Sequence, residues 1–354
     1  MTDFLIAFVA FILMVSTIVS IHEFGHYLAA RSFGLIATHF SVGFGPALLS
    51  WKDKRGTEWR IAPFLIGGYV KFAGDDEGVE VKPGQKRLND LPRWPRAAVV
   101  AAGPGINFVL AGLLLAGIAY FYGYPAGQPV VESVMPDSPA AEAGLREGDV
   151  ITRFNNNEII TAYDVRQRIM IAPGETVVID VDRYGSDYSL TATLNAVSHD
   201  DGFGNVSRIG ELGVTLPRAF ERSPSVGAAL TKGVSEGLFV TYSQFMALKQ
   251  IVTGQRPVVE LSGPVRIAKM SGHTISMGFM PFLYMMAILS IGVGIINLLP
   301  IPALDGGHLA TYAIEGITGR ELNAQLAKAL TGVGIVVIIL FGVLGLSLDY
   351  IALS

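Results

Sequence analysis

Long apolar stretches alternate with polar segments along the chain, and four of these stretches are long enough to cross a bilayer. A hydrocarbon core about 30 Å thick needs roughly 20 apolar residues in a helix. The four stretches cover residues 4–30, 97–122, 280–299 and 330–348. This pattern predicts a multi-span α-helical membrane protein with four transmembrane helices.

The first stretch has a second interpretation, as a signal peptide. Its start, MTDF, lacks the basic residues of a signal peptide, and no convincing small-residue cleavage site follows the apolar run. We therefore interpret it as a retained span.

The loop between the first two spans has the pattern of strands. Residues 37–71 alternate aromatic and β-branched residues with glycine-rich breaks, as in THFSVGFGPALLSW and EWRIAPFLIGGYVKF. The runs FGPALL and APFLIGG are apolar but too short to span a bilayer. We therefore predict a β-element that dips into the membrane boundary, where protein or water must satisfy its backbone.

Between the second and third spans, residues 128–216 have the pattern of a small soluble α+β domain. Alternating strands are separated by turns rich in Asn, Asp and Gly, and SPAAEAGL predicts a capped helix. In residues 217–278, apolar side chains recur at helical spacing. These residues are predicted to form amphipathic helices packed on the membrane surface or on the soluble domain.

Composition agrees with a membrane protein and narrows its chemistry. Of 354 residues, 51% are hydrophobic and only 16% are charged. The net charge of −4, without a basic tail, argues against binding to nucleic acid. Because the chain has no cysteine, any metal must be bound by His, Asp or Glu.

Loop charges predict the orientation in the membrane. Residues 31–96 contain 11 Lys and Arg against 7 Asp and Glu, whereas residues 124–278 contain 13 against 17. Cytoplasmic loops are enriched in Lys and Arg, so the first loop is predicted to be cytoplasmic. Both termini and the soluble domain then lie on the outer side.

The first apolar stretch ends in a motif with metal chemistry. His22, Glu23 and His26 fit the pattern H-E-x-x-H. Positions four apart share one helix face, so both imidazoles can reach one Zn²⁺, while Glu23 is placed to take a proton from water. The alternative is a polar helix end whose histidines extend to the interface. Ionisable residues within spans favour the functional interpretation.

A hydrolytic zinc site needs a third protein ligand and an open position for water. Asp305, in NLLPIPALDGGH after the third span, is a candidate because the predicted orientation puts it at a depth similar to that of His22. The prolines and glycines around it prevent a continuous helix. His308 is a further candidate, as a fourth ligand or as a donor to a ligand. Its alternative is an ordinary loop histidine.

The chain resembles the site-2 protease family of intramembrane metalloproteases in three features. These are HEFGH, the pattern N-x-x-P-x-P-x-L-D-G at residues 297–306, and the domain between these two motifs. The bacterial RseP-type enzymes are nearest in layout. The resemblance implies zinc held by His22, His26 and Asp305, with Glu23 as general base.

The same resemblance implies how a substrate is held. Asn297 is expected to hydrogen-bond the substrate backbone. A membrane-reentrant β-element is expected to hold the unwound substrate as an added strand, through Gly67, Gly68, Tyr69 and Val70.

The soluble domain resembles a bacterial PDZ domain. AGLREGDVI matches the turn before a central strand of that family. ELGV, which contains Leu212, Gly213 and Val214, resembles the loop and strand edge that line the peptide groove. PDZ domains bind extended chain ends by adding a strand to a sheet edge. The best-known enterobacterial relatives have two such domains in tandem, and this chain has room for one.

Four segments follow from these patterns. Residues 1–125 hold the first two spans and the β-loop, 126–217 the PDZ-like domain, 218–278 an amphipathic connector and 279–354 the last two spans. With the orientation that the loop charges predict, the PDZ-like domain, the connector and both termini are expected to be periplasmic and the active site to lie near the cytoplasmic side. The resemblance implies that the membrane is a bacterial inner membrane.

The leading hypothesis is an intramembrane zinc endopeptidase. The resemblance implies that it cuts single-span membrane proteins, such as anti-sigma factors or signal-peptide remnants, after another protease has trimmed them. One alternative is a proteolytically inactive membrane adaptor with a vestigial metal site, against which the intact Glu23 argues. Another is a metal transporter, which would need polar residues along a path and not at one depth.

Overall fold

The chain forms two compact units. The computed structural model describes residues 2–73, 86–200, 206–258 and 263–353. The first unit comprises Met1–Leu115, Gly233–Thr241 and Gly263–Tyr350, and the second comprises Ala116–Lys232, Tyr242–Ser262 and Ile351–Ser354. The connector predicted at residues 218–278 is thus shared between the two units.

Helices account for most of the first unit. The α-helices of the described residues are α1 (Thr2–Ser32), α2 (Arg93–Phe121), α3 (Pro139–Glu142), α4 (Ala162–Met170), α5 (Val226–Val252), α6 (Pro264–Met277), α7 (Phe279–Leu298), α8 (Asp305–Thr318) and α9 (Ala324–Leu353). A short 3₁₀ helix covers Leu88–Asp90.

Four of these helices are long and apolar enough to cross a membrane. They contain the segments Phe4–Ser32, Arg93–Phe121, Phe279–Leu298 and Gln325–Ile351. A long apolar helix is therefore confirmed at each of the four predicted spans, as expected of a multi-pass membrane protein. Helix α2 begins earlier than expected, at Arg93, because Pro95 lies in its first turn, where a missing N–H breaks no helical hydrogen bond.

A four-stranded sheet follows α1 in the first unit, as the alternation in residues 37–71 predicted. Its strands are β1 (Ala37–Phe44), β2 (Leu49–Lys52), β3 (Glu58–Ile61) and β4 (Phe64–Phe72), in the order β2-β3-β1-β4. Tyr27 of α1 and Phe40 of β1 lie in the core between helix and sheet. Strand β2 is exposed along its whole length. Strand β4 forms one edge of the sheet.

The second unit contains the remaining strands of the described residues. Strands β7 (Val150–Phe154), β8 (Asn157–Glu158), β9 (Thr176–Arg183) and β10 (Ser186–Thr193) form one sheet, ordered β10-β9-β7-β8. Two-stranded sheets pair β5 (Tyr124–Ala126) with β14 (Ala219–Glu221), β6 (Ser133–Val134) with β13 (Val214–Thr215), and β11 (Asn195–Asp200) with β12 (Val206–Glu211). Ser138 caps α3, as expected for a capped helix at SPAAEAGL.

The amphipathic residues after the soluble domain form α5 and α6. In the first unit, Val240 of α5 packs with Ala111 of α2 and Ala287 of α7. In the second unit, Gln250 Nε2 of α5 donates to the carbonyl of Ile171, 3.1 Å away. The predicted contact of this connector with the soluble domain is thus present, but α5 also packs on membrane-spanning helices.

Helix α6 packs on α1, an arrangement that the sequence pattern did not predict. Gly272 of α6 faces Ala7 so closely that a Cβ on Gly272 would lie 2.5 Å from the Ala7 side chain. The start of α6 is tied to α9 by a fully buried ion pair, in which Arg266 Nε donates to Asp349 Oδ1 over 2.7 Å. Backbone N–H groups of Gly263 and Val265 also donate to the Asp349 carboxylate. This carboxylate therefore caps the α6 N-terminus, where negative charge is favourable.

A second buried carboxylate organises the turn before β7. The side chain of Asp149 is fully buried and accepts two hydrogen bonds from Arg183, of 2.7 and 2.8 Å. Arg146 N–H also donates to it. Burial alone would raise the pKa of Asp149, but Arg183 and the Arg146 backbone outweigh burial and lower the pKa overall.

Replacing Asp149 with asparagine is expected to lower the unfolding midpoint of the second unit by about 10 °C at pH 7. Because the folded state lowers the pKa of Asp149, its contribution to stability is present above its ordinary pKa of about 3.9 and is lost as the pH falls through the lower folded value. The difference between variant and wild type should therefore shrink below about pH 4. The unfolding midpoint of this unit is measured from its susceptibility to protease while the full chain is heated in detergent. The exposed Asp187→Asn serves as control, and an equal effect there would contradict the prediction.

Candidate metal centre

Helix α1 places the H-E-x-x-H side chains on one face, as the spacing predicts. The imidazoles of His22 and His26 meet edge to face, with ring centroids 4.8 Å apart. Their Nε2 atoms are 3.2 Å apart. Both ring nitrogens therefore face the same small region of the first unit.

Asp305 reaches this region from the irregular segment between α7 and α8. Helix α7 ends at Leu298 because Pro300 and Pro302 follow and cannot continue its hydrogen bonds. Ala303 has a φ of 80°, in the left-handed region, and the chain then enters α8 at Asp305. Asp305 Oδ2 lies 3.1 Å from His22 Nε2 and 3.5 Å from His26 Nε2.

These three atoms form a cluster suited to a metal. In the described part of the chain, His22, His26 and Asp305 each offer a ligand atom within 4.8 Å of the other two. Asp305 Oδ2 is buried and makes no hydrogen bond there, despite two nitrogens nearby. The three ligand atoms therefore lie around one small region that a metal ion could occupy.

The spacing also fits a tetrahedral zinc site. Ligand bonds of about 2.0–2.1 Å place tetrahedral ligand atoms roughly 3.3 Å apart. The observed separations are 3.1, 3.2 and 3.5 Å. Burial tends to raise the pKa of Asp305, but the two imidazoles outweigh burial and lower it to about 2. The group is therefore a carboxylate, the form that binds a metal.

Glu23 lies on the sheet side of the cluster. Its Oε2 accepts a hydrogen bond from Val70 N–H in β4, with a donor–acceptor distance of 3.1 Å. Glu23, the three clustered side chains and Asn297 line one cavity of about 810 Å³. The cavity can hold a segment of peptide chain next to the carboxylate.

Two glycines let α1 and α2 approach closely enough to form the site. A Cβ on Gly25 would lie 2.4 Å from the carbonyl oxygen of Ala102. A Cβ on Gly103 would lie 2.2 Å from His26 Nε2 and 2.9 Å from His22 Nε2. Gly103 therefore keeps the space beside both nitrogens free.

Helix α2 also supplies partners for the outer nitrogens of both histidines. His26 Nδ1 lies 2.9 Å from the carbonyl oxygen of Val99, and His22 Nδ1 lies 3.3 Å from Asn107 Nδ2. Neither partner was predicted from the sequence. An asparagine within an apolar stretch was an available signal, since polar residues in spans tend to be functional.

Comparison with models of known protein families gives a match over almost the whole chain. The model of peptidase family M50 matches residues 10–341. The chain belongs to peptidase family M50.

Curated relatives of this M50 chain are similar over almost their full length. A candidate zinc metalloprotease of Agrobacterium fabrum is 37% identical, over 96% of this chain and 94% of the relative. Another, from Bartonella henselae, is 35% identical over 94% of this chain and 98% of the relative. Metalloprotease MmpA of Caulobacter vibrioides is 34% identical over 96% of this chain and 94% of the relative.

Among solved structures, the M50 chain matches the PDZ domain of an SdrC-like protein from Listeria monocytogenes. The match has 27% identity and covers 26% of this chain and 87% of that domain, with a TM-score of 0.21.

Other predicted residues of the M50 chain lie near the cluster but outside it. Asn297 lines the cavity, and its Nδ2 donates to the Val293 carbonyl of its own helix over 3.0 Å. His308 lies in the first turn of α8, not in a loop; it is exposed and lines the same cavity. Within the described residues, His308 does not belong to the group of ligand atoms.

The residues predicted to bind peptide fall in two places. Gly67, Gly68, Tyr69 and Val70 all lie in β4, and Val70 N–H donates to Glu23. In the second unit, Leu212 is buried in the core, Gly213 has a φ of 82°, and Val214 pairs with β6. The role of these residues as a peptide groove stays a prediction.

Replacing Gly103 of the M50 chain with alanine is expected to weaken zinc binding at least tenfold, because the added methyl group occupies the space beside both Nε2 atoms. Competition with a chromogenic chelator measures the affinity. Gly105→Ala is a matched control in the same helix, since a Cβ there meets nothing within 4 Å. Equal affinities of the two variants would contradict the prediction.

Proposed function

We propose that this chain is an intramembrane zinc endopeptidase that cuts single-span membrane proteins. The observation that carries the proposal is the convergence of His22, His26 and Asp305 at tetrahedral spacing, with the Glu23 carboxylate next to them. Membership of peptidase family M50 and the names of the metalloprotease relatives support it.

The proposed chemistry is hydrolysis of a peptide bond. A zinc ion held by His22, His26 and Asp305 would polarise the scissile carbonyl and make water a stronger nucleophile at neutral pH. Glu23 acts as general base and removes a proton from the attacking water. It then returns that proton to the leaving amine nitrogen as the C–N bond breaks.

Strand β4 is suited to hold the substrate in an extended form. It is an edge strand, and Val70 N–H points away from β1 to reach Glu23. Backbone groups alternate along a strand, so those of Gly68 also point away from β1. A substrate strand added there would place its backbone beside Glu23. Asn297, on the cavity wall, is proposed to hydrogen-bond the same backbone.

The apolar surface of this sheet supports its proposed entry into the membrane. Leu48, Leu49, Trp51, Phe64 and Ile66 are all exposed, at fractions of 48–71%. An exposed apolar patch of this kind marks a membrane or protein contact. A sheet at this position would meet a substrate helix inside the bilayer.

The loop charges support the proposed orientation of the chain in the membrane, which we propose is a bacterial inner membrane. The excess of Lys and Arg in residues 31–96 favours a cytoplasmic location for the first loop and therefore for the zinc site. The PDZ-like domain is then periplasmic, where it can bind the chain end left after another protease has trimmed the substrate.

Purified protein in liposomes with a single-span reporter tests the proposal. We expect cleavage within the reporter's span, loss of cleavage after zinc is removed by a chelator, and recovery when zinc is added back. A protein that binds zinc but cuts no single-span reporter would favour the adaptor alternative. A protein that binds no zinc would overturn the proposed site.

A further inference from the structure

Asn107 is a polar side chain in the apolar helix α2, and its position calls for an explanation. The residue is fully buried. Its backbone carbonyl accepts a hydrogen bond from Ser290 Oγ over 2.9 Å, and its side-chain Nδ2 lies 3.3 Å from His22 Nδ1. A buried amide within a span costs free energy unless it is hydrogen-bonded. Contact with His22 is therefore the interaction that accounts for the side chain.

The tautomers of the two histidines determine whether their Nε2 atoms can bind a metal. A histidine that binds through Nε2 carries its proton on Nδ1 and donates it to an acceptor. His26 meets this requirement, because its Nδ1 lies 2.9 Å from the Val99 carbonyl oxygen, which can only accept. His22 needs an acceptor at the position that the Asn107 amide occupies.

The Asn107 amide can supply that acceptor. With Nδ2 toward His22, it presents a donor, which suits a His22 protonated on Nε2. Rotation of the amide by 180° about the Cβ–Cγ bond exchanges Nδ2 and Oδ1. Among the described residues, Oδ1 has no hydrogen-bond partner of its own. No competing contact of Oδ1 there opposes the rotation, so the tautomer of His22 sets the orientation of the amide.

We propose that Asn107 is a positioning residue for the zinc site. Its Oδ1 turns toward His22, accepts the proton of Nδ1–H and holds the unprotonated Nε2 toward the metal. The inference rests on the zinc site of the proposed function.

Zinc affinity of Asn107 variants tests this role without any measurement of cleavage. Asn107→Leu keeps the side-chain size but removes the acceptor, and we expect zinc affinity to fall about 10- to 100-fold. Asn107→Asp keeps an acceptor, and we expect its affinity to stay within about threefold of wild type. Chelator competition on the full chain in detergent measures both. Thermal unfolding of the metal-free variants separates this effect from a loss of stability.

Two controls make the result specific. Ser290→Ala removes the hydroxyl group next to Asn107 but leaves the amide, and its zinc affinity should match that of wild type. If the leucine variant does not fold, Asn107→Ala replaces it. Wild-type affinity in the variant without an acceptor, or an aspartate variant as weak as leucine, overturns the inference. Absence of zinc binding in the wild type would instead overturn the proposed function.

Discussion

Replacing Glu23 with glutamine is expected to lower the rate of substrate cleavage about 10²- to 10⁴-fold. Glutamine cannot accept a proton from water, but its side-chain oxygen can still accept the hydrogen bond from Val70 N–H that Glu23 accepts over 3.1 Å. The three ligand atoms belong to other residues, so zinc binding should be unchanged. Cleavage of a single-span reporter in liposomes and zinc content by atomic emission measure the two properties.

Glu147→Gln is the matched control for this variant. Glu147 is an exposed residue of the second unit, and the same substitution there should leave cleavage unchanged. Retained cleavage by Glu23→Gln would remove Glu23 from the role of general base. Loss of zinc together with cleavage would show that Glu23 supports the metal site and not proton transfer alone.

The parts of the fold that depend on local pattern were predicted from the sequence. Hydrophobicity over about 20 residues identified the four spans, and alternation identified the strands of residues 37–71. The pairing of His22 with His26 also follows from helix geometry alone. Each of these features is set by residues close together in the chain.

Asp305 required more than local pattern. Its predicted place beside His22 depended on an inferred orientation of the spans and on a resemblance to known proteases. The structure brings its Oδ2 to 3.1 Å from His22 Nε2, in agreement with that prediction. The physical signal in the sequence was the pair of prolines that ends α7, because the irregular segment that they start leads to Asp305.

Features that depend on helix crossings were not predicted. Gly103 and Asn107 matter because α2 crosses α1 next to the histidines, and no periodicity in the sequence encodes which faces meet. The packing of α6 on α1 is of the same kind, since an amphipathic pattern marks an apolar face but not its partner. From the sequence alone, the amphipathic helices of the connector could therefore have packed on the soluble domain or on the membrane surface.

Replacing Asp305 with alanine is expected to lower zinc affinity by more than about 100-fold, a larger effect than that of any variant that leaves the three ligands in place. Alanine offers no ligand atom, and two imidazoles alone do not complete the three-residue set of a hydrolytic zinc site. Cleavage should be lost with the metal. Chelator competition measures the affinity, and zinc content of the purified variant gives an independent readout.

Glu321→Gln is the matched control for Asp305→Ala, because Glu321 also lines the cavity but lies outside the cluster of ligand atoms found in the described residues. Its carboxylate pairs with Arg96 over 3.6 Å and is mostly exposed, so its loss should leave zinc affinity unchanged. If both variants bound zinc less tightly by the same factor, the general negative charge of the cavity would explain the metal affinity. If zinc affinity fell only in Asp305→Ala, Asp305 would have to bind zinc directly. The Glu321 carboxylate carries the same charge but lies outside the cluster of ligand atoms.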